Sequence, residues 1–158
     1  MWPSEWPAPA RAIATTVDAA VTAARATDAP AFHATLGDLA ELPADQVRAV
    51  LGAAVREQLE IAHPDGLTAD DIRAVLAAVV GAALPWLPDL DATAVVTVLT
   101  GALGVTEADD DRDQPPADPQ PAAVLLIAHL AELSQVPATD SIRRAIGEIA
   151  RAETVEMP

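Results

Sequence analysis

The chain has 158 residues, of which 51% are hydrophobic, and a formal net charge of −15 at pH 7. A chain of this length can bury a core without cross-links, and the absence of cysteine excludes disulfides, thiolate metal ligands and thiol nucleophiles. The charge argues against binding to nucleic acids or anionic membranes, and it favours either a basic partner or adaptation to a saline habitat.

Residues 1–9 are predicted to form an extended arm, because Trp2-Pro3 and Trp6-Pro7 place prolines where a helix needs free backbone N–H groups. Trp2 and Trp6 are candidate partner-binding residues, since tryptophan is enriched at binding hot spots. The alternative is that both rings pack over the protein's own core. An amphipathic helix is predicted over residues 10–27, and its stripe of small residues leaves homo-oligomerisation open.

One helical pattern occurs three times, near residues 42–59, 67–84 and 90–103. Thr68 and Asp71 are expected to form a capping box, and Asp91 to cap the third copy. The repeat predicts an all-α, single-domain antiparallel bundle of about six to seven helices, with a short α-solenoid as the alternative. Residues 10–105 are assigned to this bundle. Helices 72–84 and 92–104 are placed at its centre because they carry almost no charge.

Residues 106–120 are predicted to form a disordered, acidic, Pro-rich loop. Its aspartates resemble the start of a calcium-binding loop but lack the required glycine and the closing glutamate, so we interpret them as candidate partner-binding residues. These are Asp109, Asp110, Asp111 and Asp113. Residues 121–153 are predicted to be two helices that pack on the same bundle, and residues 154–158 a tail.

A metal site is only weakly indicated. Glu60 and His63 have the Glu-x-x-His spacing of helical di-iron proteins, and Glu57 lies one turn earlier. Such a site needs a second Glu-x-x-His pair, which the sequence lacks, so neither a metal nor another cofactor is expected. The chain also lacks a nucleophile elbow and a phosphate-binding loop, and no catalytic residues are assigned.

The sequence therefore predicts a non-enzymatic protein–protein interaction module: an adaptor, an accessory subunit or an immunity- or antitoxin-like partner of a basic protein. One alternative is a helical small-molecule-binding or sensor domain, with an apolar pocket beside helix 72–84 and Gly81. A metal-dependent helical enzyme using Glu57, Glu60 and His63 is a more remote alternative. With no signal-peptide pattern in the first residues and no apolar membrane span, a cytoplasmic location is expected. The absence of Lys, Asn and Tyr, whose codons are AT-rich, predicts a bacterial genome of high GC content.

Overall fold

A computed structural model of the chain describes residues 2–104 and 118–156, with side chains as far as residue 152. This part of the chain contains seven α-helices and no strand, which confirms the predicted all-α bundle. The helices are α1 (Ala8–Arg25), α2 (Ala29–Ala40), α3 (Ala44–Ala62), α4 (Ala69–Ala83), α5 (Ala92–Ala102), α6 (Gln120–Ser134) and α7 (Ala138–Glu156).

The predicted helix caps are confirmed. Thr68 Oγ1 accepts a hydrogen bond from Asp71 N at 3.1 Å, and Asp71 Oδ2 accepts one from Thr68 N at 2.9 Å. The hydrogen bonds from Thr68 hold the pKa of the Asp71 carboxyl below its usual value. Asp91 caps α5 by accepting a bond from Thr93 N, also at 2.9 Å. Each bond pairs a backbone N–H that has no partner within its own helix.

The prediction that helices 72–84 and 92–104 form the bundle's centre is wrong. The central helix is α6, in which every residue of the stretch 122–131 is buried except the half-buried His129. Helix α4, by contrast, buries only Val75, Val79 and Ala83. The reason is that an uncharged helix is not necessarily a strongly apolar one. The exposed residues of α4 are mostly alanines and Gly81, whose exposure to water costs little free energy, whereas α6 carries Leu and Ile.

The helices pack as a bundle around α6. Helix α3 contacts α6, α7 and α5, and α1 contacts α2, α6 and α7. Helix α4 lies at the margin, against α5 and α6. The three helices that carry the sequence repeat are α3, α4 and α5, and the largest interfaces of α3 are with α6 and α7 rather than with the next repeat. This arrangement is that of a bundle and not of a stacked solenoid.

Both ends of the chain differ from the prediction. The N-terminal arm is not extended, because it folds into a turn in which Trp6 N donates a hydrogen bond to Pro3 O at 3.3 Å. Helix α1 begins at Ala8, two residues earlier than predicted, and α7 continues to Glu156, into the predicted tail.

The predicted acidic loop lies outside the described residues except for its last three positions, and so do its aspartates Asp109, Asp110, Asp111 and Asp113. Its last residue, Gln120, is already the first residue of α6. In the described ranges no single helix is both long and apolar enough to cross a membrane, and α6 with α7 meets the length and composition only as a pair bent by 117°.

Candidate functional site

An apolar groove with an aromatic floor opens between α2, the connection from α4 to α5, and the start of α6; we call it the aromatic groove. Its volume is about 270 Å³. Phe32 of α2 is buried, and the Trp86 ring meets it edge-on, with ring centroids 5.3 Å apart and an interplanar angle of 76°. The remaining apolar lining residues are Leu36, Leu87, Pro88, Leu90, Ala94, Pro121 and Ala122.

The connection between α4 and α5 holds Trp86 in place. Pro85 and Pro88 bracket the Trp86-Leu87 pair and restrict its backbone. The amides of Trp86 and Leu87 both donate to Ala83 O, at 3.1 and 2.7 Å, so the chain continues to turn past the last residue of α4. The Trp86 side chain is therefore presented to the groove from an ordered turn, half-buried against Phe32.

Three carboxylates border this apolar floor. Asp91 and Asp118 have fixed orientations, because each accepts a hydrogen bond from a backbone amide two residues on, Thr93 N at 2.9 Å and Gln120 N at 3.0 Å. Asp89 is exposed and has neither a hydrogen bond nor an ion pair within the described ranges. Among the residues that the structure describes, no arginine lines the groove, and His33 is the only basic side chain that does.

Sequence reasoning did not identify this groove. One signal was present in the pattern Pro85-Trp86-Leu87-Pro88-Asp89, which combines a rigid turn, a large ring and an adjacent acid. The pattern does not reveal that the Trp86 ring packs against Phe32 of α2. The contributions of α2 and of Asp118 could not be found without knowing which helices are neighbours.

The structure places the predicted binding residues Trp2 and Trp6 against each other and against the core. Their rings stack at 5.9 Å with an interplanar angle of 16°, and the Arg143 guanidinium lies 5.8 Å from the Trp2 ring centroid. Both side chains are half-buried. This geometry corresponds to the alternative in which the arm packs on its own protein, with both side chains only partly exposed.

The weak metal candidates do not form a cluster. Glu57 Oε1 accepts a hydrogen bond from Arg144 of α7 at 2.9 Å, so this carboxylate has a cationic partner of its own. Glu60 is exposed, and His63 terminates α3 as its C-cap. Among the side chains of residues 2–104 and 118–152, no group of three or more His, Asp or Glu is placed to hold a metal ion.

Gly81, which the sequence associated with an apolar pocket, lies on the exposed face of α4 and does not border the aromatic groove. A cleft of about 160 Å³ does lie beside α4, where Val79, Ala82 and Ala83 face residues of α1 and α6. A larger cavity lies between α3, α5 and the start of α6. Comparison of the chain with protein-family models, with curated proteins and with solved structures gives no match.

Proposed function

We propose that this protein is a non-enzymatic interaction module that binds a basic, apolar segment of a partner protein in the aromatic groove. The occupant that fits is a short stretch with one large apolar side chain flanked by Arg or Lys. The observation that carries the proposal is the combination of an aromatic floor with the carboxylates of Asp89, Asp91 and Asp118 at its edge. The proposal includes the adaptor, accessory-subunit and immunity-type roles, in the cytoplasm.

The floor supports binding through burial. Covering Trp86, Leu36 and Leu90 removes apolar surface from water, a gross gain of roughly 25 cal/mol per Å² from which the entropy and desolvation costs of association are subtracted. Large side chains in central pockets dominate the energetics of protein interfaces, and their surroundings mainly exclude water. A groove of about 270 Å³ has room for one such side chain rather than for a whole helix.

The carboxylates at the edge of the aromatic groove favour a basic partner. Carboxylates around an apolar floor attract cationic side chains and repel acidic ones, so they determine specificity and the rate of association more than the final affinity. The net charge of −15 acts in the same direction at longer range. Because Asp89 has no partner in the described ranges, a bound Arg or Lys can reach it without breaking an existing ion pair.

The test is a selection of short peptides from a random library on the immobilised protein, followed by titration of the selected peptides. The fluorescence of Trp86 reports binding in the groove directly. Of the three tryptophans in the chain, it is the one that remains in a Trp2→Phe/Trp6→Phe background. We expect peptides that combine Arg or Lys with an aromatic or leucine residue, and a change in Trp86 emission on binding. The affinity should fall as the ionic strength rises, because salt screens charges across the groove.

The matched variants are Asp89→Arg at the groove and Asp65→Arg in the turn between α3 and α4, where the side chain is exposed and does not line the groove. Both change the charge equally. Asp89→Arg should weaken binding at least about tenfold, since it replaces attraction by repulsion of a basic peptide, and Asp65→Arg should leave it nearly unchanged. Equal losses in both variants, selected peptides that are acidic, or affinity independent of salt would contradict the proposal.

A further inference from the structure

A second cavity, of about 320 Å³, lies between α3, α5 and the first residues of α6. We call it the arginine pocket, because Arg48 and Arg56 line it from α3. These arginines are eight positions apart, which places them on one face of the helix about 12 Å apart along its axis. Gly52 lies midway between them and also borders the cavity.

The walls of the arginine pocket are mainly apolar. The other apolar lining residues are Ala44, Leu51, Val98, Ala102, Pro119 and Ala123. Gly52 of α3 and Gly101 of α5 both border the cavity, and a Cβ placed on either would meet no atom within 4 Å. Close packing of the helices therefore does not require these glycines, and each costs helix stability relative to alanine. Their effect on the cavity is to keep it open.

Hydrogen-bond donors outnumber acceptors among the polar groups of the pocket. Arg48 and Arg56 have no ion pair among the described residues, although the chain has 24 acidic residues against nine arginines. The Gln120 side-chain amide has no hydrogen bond within the described ranges and can donate as well. Thr97 cannot, because its hydroxyl already donates to Thr93 O at 2.9 Å. Asp118 also borders the pocket and is the one carboxylate among the described lining residues, where it would oppose an anion.

We propose that this pocket binds a small amphipathic carboxylate, an anion with an apolar body such as a medium-chain fatty acid. Arg48 and Arg56 are both exposed on α3, and the guanidinium of either can bind a carboxylate through two hydrogen bonds. The apolar walls then take the hydrocarbon body, and the volume lies at the lower end of the range for small-molecule sites. The net charge of −15 opposes the approach of an anion, so the local guanidinium groups and the apolar walls have to supply the affinity.

The test is calorimetric titration of the full-length protein with decanoate, with decanol and inorganic phosphate as the two partial probes. We expect one decanoate per chain, and weaker binding of both partial probes, because each satisfies only half of the site. The variant Arg48→Gln/Arg56→Gln should weaken decanoate binding at least about tenfold, the loss expected for charge-assisted hydrogen bonds. The control Arg11→Gln/Arg151→Gln removes the same charge from two exposed arginines that do not line the pocket.

Gly52→Leu fills the cavity from the middle of α3 and should abolish binding, whereas Gly81→Leu, at an exposed position in the interior of α4 with equally open surroundings, should not. Decanol or phosphate binding as tightly as decanoate, many decanoates per chain, or equal losses in the two arginine double variants would overturn the proposal. Asp89→Arg, which tests the aromatic groove, should not change the affinity for decanoate. The experiments can therefore contradict one of the two proposals without contradicting the other.

Discussion

Arg144 of α7 donates a hydrogen bond to Glu57 Oε1 of α3 at 2.9 Å, which joins two residues 87 positions apart in the sequence. The Glu57 side chain is 16% exposed and the Arg144 side chain 54%. The hydrogen bond and the charge of Glu57 raise the pKa of Arg144. Glu57, one of the weak metal candidates in the sequence, therefore serves to hold two helices together.

Replacing Arg144 by alanine should lower the free energy of unfolding by about 1 kcal/mol. Partly exposed ion pairs contribute about 0–1 kcal/mol, and the largely buried Glu57 carboxylate left without its partner places the loss at the upper end. Urea denaturation of the variant measures it. Arg151→Ala, also on α7 but exposed and without an ion pair in the described ranges, is the control. Equal losses in both variants would contradict a specific role for the Glu57–Arg144 pair.

Gln58 is fully buried, and its amide is only half satisfied. Its Oε1 accepts a hydrogen bond from Ser134 Oγ at 3.1 Å, while its Nε2 has no partner. Gln58→Met, which keeps the shape and removes the amide, should raise the free energy of unfolding by about 1 kcal/mol, because an unsatisfied buried donor costs about 1–3 kcal/mol and the lost bond about 1. Thermal and urea denaturation check this. A destabilised Gln58→Met protein would show that the Nε2 group has a partner in solution, such as an ordered water.

His129 should make the protein less stable in mild acid. Its burial in α6 lowers its pKa from 6.5, and the charge of Glu132 only partly opposes this. The unfolded chain therefore binds the proton more readily than the folded one. Its contribution to stability is fully present above pH 6.5 and is lost as the pH falls through the lower folded-state pKa. His129→Gln should flatten this part of the stability profile, measured by urea denaturation across the range.

His33→Gln is the matched control for this pH dependence, since His33 is exposed. It should leave the profile below pH 6.5 close to that of the unmodified protein. If His129→Gln and the unmodified protein lost stability equally as the pH fell, another group would have to be responsible.

Trp2→Ala should lower the free energy of unfolding by about 1–2 kcal/mol, because it removes the stack on Trp6 and the contact with Arg143. Trp2→Phe, which keeps an aromatic ring, should recover most of this loss. Circular dichroism during heating measures both. No change in either variant would indicate that the arm does not pack on the core in solution, and would restore Trp2 as a candidate for binding a partner.

The local features of this fold could be predicted from the sequence, because they depend on neighbouring residues. The Thr68–Asp71 capping box and the Asp91 cap follow from side chains two or three positions from the amides they bind. The position of α6 at the centre could not, since it depends on which faces of α1 and α3 pack against α6, a property of the whole assembly. The error came from equating a lack of charge with burial, although alanine and glycine tolerate either environment.

The two candidate sites were missed for a related reason. The aromatic groove combines Phe32, Trp86 and Asp118, and the arginine pocket combines Arg48, Gly101 and Gln120. Each set comes from three separate parts of the chain and has no common spacing. Sequence patterns reveal a site when its residues share one helix, as in the Glu60–His63 pair, and that pair proved not to belong to a cluster of metal ligands in the described residues.

The central position of α6 has a consequence for how the protein is made. Helix α6, around which the others pack, follows α1 and α3 in the chain, so both helices leave the ribosome before the surface that covers them exists. Ile13, Val17 and Leu59 are almost fully buried in the finished protein and would be exposed until then. Folding is therefore expected to wait until α6 has been synthesised, and a nascent chain that ends before α6 is expected to bind chaperones or aggregate.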